Sequence, residues 1–367
     1  MLRRVQEYAA LGAHRTGGLA DEPTVVWMAA ALEQAGLVVE GRTAPYPGWT
    51  GRSELHVDGE PLDHLLVPYG WNGSVDTADV VVGSFDPRSG GLPSVLDDAV
   101  AAHDTGGRPL LLTTDHPDDE LVGVNRHDLG VRWSHPVVLC AGRELDRLQR
   151  GDLRLRAEGR AHDAHATNLV ASNGVDGRPL VLTTPVNGWF GCAGERGTGI
   201  AVLLELVGRL ADLPLLVLAT TGHELGYFGV RALMPWLQDQ QVTATFHIGA
   251  SVAVLAGDVA DPDRPLASTR VAFTSLSADE APPVAESLTP AALSLIPDTD
   301  RWLGEATVLS ELPVPLLSVT GAGADFHTPA DTPERVTSAA ALATVADAFE
   351  AAARRLHESS TSNLAVT

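Results

Sequence analysis

Apolar residues along the chain form short strand-like runs that alternate with stretches of helical spacing. The strand-like runs lie at 179–184, 214–221, 242–249, 251–255 and 314–320. The helical stretches lie at 22–38, 197–213, 229–239 and 334–357. This alternation predicts an α/β fold, with a mixed, mostly parallel sheet and helices on both faces.

The remaining segments predict irregular structure or a smaller unit. A Pro/Gly-rich break is expected at 45–51, and Asp58-Gly59 between two apolar runs predicts a hairpin. Residues 79–150 look like a small unit of their own, with strand runs and two short helices. Residues 257–285 are rich in Pro, Asp and Ser, and predict a long loop or an edge hairpin. The residues from Glu358 onward predict a frayed tail.

The composition and charge of the chain exclude several classes of binding partner and of chemistry. The 367 residues carry a formal net charge of −22 and 44% hydrophobic residues, enough for a sizeable core. Such an acidic chain repels phosphate backbones, so we expect no nucleic-acid partner. All 25 basic residues are Arg, which excludes lysine chemistry. With two cysteines, no long apolar start and no membrane-length apolar window, a soluble cytoplasmic protein is expected. The oligomeric state stays open.

Three polar motifs follow strand-like runs. Cys-Ala-Gly-Glu-Arg-Gly contains Glu195, Thr-Gly-His-Glu-Leu-Gly contains Glu224, and Phe-His-Thr-Pro-Ala-Asp contains His327. Ligands of open α/β sheets bind at the carboxyl ends of strands, so these side chains are expected to converge there. Two carboxylates and one imidazole are suitable ligands for one zinc ion with an open fourth position.

Neighbouring residues suggest supporting roles. His223 precedes Glu224 and is expected to act as a catalytic acid or base with it. Asp331, or alternatively Asp325, is expected to orient an imidazole. The glycine-rich loop is expected to present backbone N–H groups to a substrate oxyanion. The residues assigned to that loop are Trp189, Cys192, Glu195, Arg196 and Gly197.

Each assignment has a structural alternative. Glu195 could pair with Arg196 without any metal, Glu224 could cap a helix, and His327 could be a turn residue. His223 could be a surface histidine, and Cys192 a buried thiol. Core packing could account for Trp189 and Phe190. Glu305 could approach the site or be a solvated helix residue.

The same motifs give the chain a resemblance to the M28 metallopeptidases, a family with a zinc-exopeptidase fold. The loop with Glu195 resembles the one that supplies the family's bridging aspartate, and Glu224 resembles the metal-binding member of the double-glutamate turn. The motif around His327 resembles the final histidine ligand motif. The resemblance implies one domain from 1–49 and 161–367, and an inserted protease-associated-like domain, α/β or β-rich, over 50–160.

The departures from the family pattern define the functional question. The place of its His-x-Asp motif reads Thr183-Thr184-Pro185, the general-base position holds His223, and a further aspartate position reads Gly249. The retained set is similar to that of the single-zinc glutaminyl cyclases.

Three functions follow from these features. The first is hydrolysis of a peptide or other amide bond with at most one zinc. The second is glutaminyl-cyclase-like or other acyl-transfer chemistry, and the third is a non-catalytic binding module. The expected ligand in each case is a small peptide or amide.

Overall fold

The structure, a computed structural model, describes residues 1–87, 95–257, 259, 261 and 263–364. Its strands are β1 (Val38–Val57), β2 (Glu60–Pro61), β3 (His64–Leu66), β4 (Gly73–Thr77), β5 (Val81–Phe85), β6 (Leu110–Thr114), β7 (Val137–Ala141), β8 (Leu153–Ser172), β9 (Leu180–Pro185), β10 (Leu215–Thr220), β11 (Ala244–Ile248), β12 (Val271–Thr274), β13 (Leu295–Ile296) and β14 (Leu316–Thr320). Its helices are α1 (Leu2–Ala9), α2 (Asp21–Gln34), α3 (Val95–Ala101), α4 (Leu145–Arg150), α5 (Thr198–Arg209), α6 (Phe228–Gln238), α7 (Pro282–Leu288), α8 (Ala306–Leu309), α9 (Pro333–Val336) and α10 (Ala339–Leu364).

Within these residues, ten strands form one mixed sheet in the order β13-β12-β14-β11-β9-β10-β8-β1-β2, with β4 paired to β8. Its centre is parallel, since β9 pairs in parallel with β10 and β11, and β11 with β14. Strands β9, β10 and β11 are buried along their whole length, as expected for parallel strands covered on both faces. The predicted fold class is confirmed.

Helices cover both faces of this sheet. Helices α1, α2, α5, α7 and α10 pack with it into the largest apolar core, where Phe246 of β11 contacts Phe349 of α10 at a ring distance of 5.1 Å. Helices α6 and α8 contribute Val230 and Leu309 to a second core that also contains Val181 and Leu218 of the sheet. The parallel strands are therefore excluded from water on each side.

A long two-stranded arm leaves the sheet. Strands β1 and β8 pair antiparallel over twenty residues each, from Val38 opposite Ser172 to Val57 opposite Leu153. The break expected at 45–51 is wrong, because this segment continues β1. Strand β8 is its only ladder partner there among the described residues, so the outer edge tolerates the missing N–H groups of Pro45 and Pro47.

The chain between β1 and β8 builds a second sheet. Its four strands among the described residues follow the order β3-β7-β6-β5, with β5, β6 and β7 parallel. Leu96, Leu110 and Leu139 lie in its apolar core. The boundaries expected for an inserted domain, at residues 50 and 160, fall on one cross-strand pair inside the arm. An independent inserted domain stays a prediction.

Other local expectations differ from the structure. The segment 257–285 contains strand β12 and the start of α7, where Pro282 and Pro283 occupy first-turn positions that need no N–H donor. Residues 251–255 form no strand beyond one bridge from Leu255 to Leu266. Helix α10 runs on to Leu364, so the frayed tail expected from Glu358 is wrong up to that residue. No helix in the described residues has the length and apolar character needed to cross a bilayer.

We predict that Phe349→Ala lowers the free energy of unfolding by about 3–5 kcal/mol, because it empties a fully buried position against Phe246. Urea unfolding followed by circular dichroism measures the change. As a control, Leu19→Ala alters a fully exposed side chain and should change the value by less than about 0.5 kcal/mol. Equal effects of the two substitutions would contradict this account of the core.

Candidate functional site

Three loops at the carboxyl edge of the main sheet carry the predicted site residues. One follows β9 and turns through a π-helical segment, Ala193–Gly197, into α5. The next follows β10 and contains a short 3₁₀ turn, His223–Leu225, between Gly222 and Gly226, which both have positive φ. The third follows β14 and contains His327, also at positive φ. Parallel strands bring these loops to one edge of the sheet.

Glu195 and Arg196 form a buried ion pair. Arg196 Nη2 lies 2.7 Å from Glu195 Oε1, and the two side chains are 1% and 0% exposed. Arg196 Nε also donates to the main-chain oxygen of Asn187 at 2.8 Å. The alternative of an arginine partner for Glu195 is therefore the arrangement observed.

His327 joins this pair through its ring nitrogens. His327 Nε2 lies 3.2 Å from Glu195 Oε1, and Nδ1 lies 3.0 Å from the Gly123 carbonyl oxygen. A main-chain carbonyl only accepts hydrogen bonds, so Nδ1 is the nitrogen that donates to Gly123, and Nε2 is the nitrogen that faces the carboxylate of Glu195.

The charge of Glu195 is fixed by these neighbours. Burial by itself would raise the pKa of Glu195, but the neighbouring Arg196 guanidinium and the contact with His327 outweigh burial and lower the pKa to about 2. Glu195 is thus an anion near neutral pH, and the guanidinium of Arg196 lies against its charge.

Asp331 and Asp325 bind groups other than an imidazole. Asp331 accepts hydrogen bonds from the backbone nitrogens of Gly194 at 2.6 Å and Glu195 at 3.0 Å. Burial raises the pKa of Asp331 to about 7 despite those bonds. Both carboxylate oxygens of Asp325 lie 2.8 Å from Arg335 Nε and share its one N–H. The expected role of either residue as an imidazole orienter therefore has no counterpart in these contacts.

The backbone of the glycine-rich loop is already hydrogen-bonded. Asp331 binds two of its N–H groups, and the nitrogens of Arg196 and Gly197 donate to the Cys192 carbonyl at 2.9 and 3.1 Å. These N–H groups are not available to a substrate oxyanion in this conformation. The expectation of an oxyanion loop is thus not met by the observed hydrogen bonds.

Two side chains of that loop are buried. Cys192 Sγ lies 3.3 Å from the Tyr8 hydroxyl, and burial raises the pKa of its thiol well above the usual value. Such a thiol is a poor nucleophile. The Trp189 indole nitrogen donates to Asn125 Oδ1 at 2.9 Å. Both residues pack rather than react in this conformation.

Glu224 contacts the N-terminal loop. Its Oε1 accepts a 2.6 Å hydrogen bond from the backbone nitrogen of Thr16, and its buried Oε2 has no hydrogen-bond partner among the described residues. Burial raises the pKa of Glu224 to about 7, even though the bonds with Thr16 favour the anion. Near neutral pH, both the neutral and the charged form of Glu224 are therefore populated.

A second polar cluster lies beside His223. His223 Nδ1 is 3.5 Å from Glu305 Oε1, and Glu305 Oε2 accepts a 2.6 Å hydrogen bond from the Thr220 hydroxyl. Glu305 is fully buried rather than solvated. Burial lowers the pKa of His223 well below its usual value and raises that of Glu305. His223 is consequently a neutral imidazole near pH 7.

These residues do not fit a zinc site. Among the described residues, no group of three or more His, Cys, Asp or Glu side chains is arranged to hold a metal ion. Of the three expected ligands, Glu195 and His327 contact each other, whereas Glu224 binds Thr16. A side chain at Gly249 would have its Cβ 2.9 Å from the Val319 carbonyl oxygen, so an aspartate has no room there.

Sequence reasoning missed several partners of the site. Thr16, Asn187 and Gly123 supply backbone or amide groups to it from three distant parts of the chain. Residues 12–21, which include Thr16, resemble the opening segment of the M28 family, and this resemblance is the one signal that could have drawn attention to Thr16. Gly123 had no such signal, because its role depends on where the second sheet lies.

We predict that Glu224→Gln makes stability less dependent on pH. Folding raises the pKa of Glu224 from 4.5 to about 7. The contribution of this group to the free energy of unfolding is therefore fully present below pH 4.5 and is lost as pH rises through about 7. The variant should therefore gain stability relative to the native protein across this window, by at most about 3 kcal/mol.

Urea unfolding at pH 5 and pH 8 tests the difference between the two proteins. As a control, Glu22→Gln changes an exposed carboxylate at the start of α2 and should leave the difference between the two pH values unchanged. A Glu224→Gln variant that tracks the native protein at both pH values would contradict the raised pKa.

No family model and no curated protein matches this chain. Solved structures do match over almost its whole length. A zinc aminopeptidase from Bacillus subtilis is 15% identical over 96% of this chain and 93% of its own, with a TM-score of 0.69. A peptidase M28 precursor from Shewanella amazonensis SB2B is 17% identical over 96% and 91%, with a TM-score of 0.70. An aminopeptidase from Aneurinibacillus sp. strain AM-1 is 15% identical over 97% and 92%, with a TM-score of 0.61. The chain thus has the M28-like fold of the zinc aminopeptidases.

Proposed function

We propose that this protein binds a small peptide or other amide on an aminopeptidase fold and does not cleave it with a metal. The observation that carries the proposal is the buried contact of 2.7 Å between Arg196 and Glu195. A guanidinium charge lies against the carboxylate that a zinc ion would need, so the protein's own cation replaces the metal. Breaking that pair would leave an unpaired buried charge, which is strongly unfavourable.

Two further features support loss of metal chemistry. His327 uses Nδ1 for the main-chain oxygen of Gly123, and its Nε2 lies 3.2 Å from Glu195, so its free nitrogen faces a carboxylate that Arg196 already contacts. Thr183, near the end of β9, and Gly249, directly after β11, offer no carboxylate or imidazole. The absence of a metal-holding group of three His, Cys, Asp or Glu side chains among the described residues supports the proposal over zinc-dependent hydrolysis and single-zinc cyclisation.

The ligand class rests on the fold. Proteins named as aminopeptidases share this fold over more than nine-tenths of the chain, and their names imply peptide ligands. A binding protein that retains the fold would keep a cleft suited to peptide or amide groups. The three loops around Glu195, Glu224 and His327 are where we place that cleft.

Hydrolysis without a metal is the second candidate function. It is favoured by His223, a neutral imidazole with Glu305 at 3.5 Å, which could accept a proton from water. The separation exceeds that of a good hydrogen bond, so the pair would have to tighten on ligand binding. Under this alternative, His223→Gln abolishes turnover while ligand binding persists.

We predict that the protein purified without chelator contains far less than one zinc ion per chain. Elemental analysis measures the metal, aminoacyl-p-nitroanilides measure hydrolysis, and calorimetry with di- and tripeptides measures binding. Peptide binding without turnover, unchanged by EDTA, supports the proposal. Stoichiometric zinc together with EDTA-sensitive turnover that is lost in Glu195→Gln would refute it, and EDTA-resistant turnover lost in His223→Gln would establish the second candidate.

The ion pair itself can be tested by a double-mutant cycle. Arg196→Met should cost about 3–5 kcal/mol in the free energy of unfolding, because Glu195 is left buried with less compensating charge. Combining it with Glu195→Gln removes that charge, so the double variant should be more stable than Arg196→Met alone. Additive losses, or an Arg196→Met variant as stable as the native protein, would mean that the pair does not organise the site.

A further inference from the structure

The segment Leu121–His127, between β6 and β7, lies across all three loops of the candidate site. At the loop after β14, the Gly123 nitrogen donates to the His327 carbonyl oxygen at 2.8 Å. The Gly123 carbonyl in turn lies 3.0 Å from His327 Nδ1. Both main-chain polar groups of Gly123 are therefore used by one site residue.

The same segment contacts the loop after β9 through Trp189. The indole ring packs directly on Gly123, where an added Cβ would lie only 2.5 Å from Trp189 Cγ. The indole N–H donates to Asn125 Oδ1 at 2.9 Å. A residue without a side chain is needed at position 123 for this approach.

The loop after β10 completes the contact. The Arg126 nitrogen donates to the Glu224 carbonyl oxygen at 2.8 Å. The His127 ring meets the ring of Tyr227 edge-on at 5.1 Å, and its main chain lies close to Gly226. The segment thus runs from His327 to Tyr227 over the middle of the site.

Its other contacts anchor it to the second sheet. Leu121 and Val124 are buried in that sheet's core. The Arg126 guanidinium pairs with Asp97 at 3.2 Å and lies 4.8 Å from the centre of the Trp133 ring. The segment therefore belongs to the unit carried by the β1/β8 arm, while its main chain serves the candidate site.

We infer that Leu121–His127 is an intramolecular peptide that occupies the cleft and holds it closed. Main-chain N–H and C=O groups that pair with site residues are what a bound peptide would present. A peptide ligand has to displace this segment. The apparent affinity of the protein for the peptide therefore decreases as the fraction of molecules with an open cleft decreases. The segment is an autoinhibitory contact built into the fold.

This inference rests on the proposed function for the position of the cleft and for the peptide ligand that the segment would exclude. Closure by the segment can be measured with no ligand and no metal present. A protein that fails to bind peptides can therefore still show the closure, and a protein that binds peptides can lack it.

Gly123→Val tests the closure, because its side chain would overlap the Trp189 ring. Hydrogen exchange of the full chain is read by mass spectrometry, together with the rate at which diethyl pyrocarbonate modifies His327. We expect exchange at 121–127 and modification of His327 to become severalfold faster, while exchange in β9–β11 is unchanged. Gly208→Val is the matched control, since an added Cβ there meets no atom within 4 Å, and both readouts should stay at native values.

Asn125→Ala is the second variant, in case Gly123→Val fails to fold. It removes only the hydrogen bond from the Trp189 indole, at a half-buried position, and should change both readouts in the same direction by a smaller factor. The closure is overturned if folded Gly123→Val leaves both rates native. It is equally overturned if Gly123→Val unfolds and Asn125→Ala leaves both rates native.

Discussion

The buried contact between Arg196 and Glu195 is the interaction on which the arrangement of the site depends. Two neighbours in sequence place opposite charges 2.7 Å apart with almost no exposure to water. Each charge would be costly in this place without the other. Their presence settles the orientation of Glu195, which in turn provides the acceptor for His327.

Surrounding groups hold this pair in one geometry. The carboxylate of Asp331 binds the backbone nitrogens of Gly194 and Glu195 and so fixes the π-helical turn before α5. Arg196 Nε donates to the main-chain oxygen of Asn187 and so orients the guanidinium group. These polar groups of the loop therefore stabilise an internal charge network.

The fold of the chain is similar to that of solved M28-type peptidases, a zinc aminopeptidase among them, over more than nine-tenths of its length. The chemistry of the site depends on its own side chains, with Thr183 near the end of β9, Gly249 directly after β11 and Arg196 beside Glu195. A fold determines where chemistry can occur, but only the side chains determine which chemistry does.

The sequence by itself determined the α/β class, because buried parallel strands and amphipathic helices have recognisable local patterns. It also predicted that Glu195, Glu224 and His327 follow strands, and it offered the Arg196 pairing as an alternative to a metal ligand. Only the tertiary structure placed Arg196 and His327 against Glu195, since these contacts depend on how closely separate loops approach one another. The contact of Gly123 with His327 was likewise beyond the sequence, because it joins residues 204 positions apart through an arm whose direction no local pattern records.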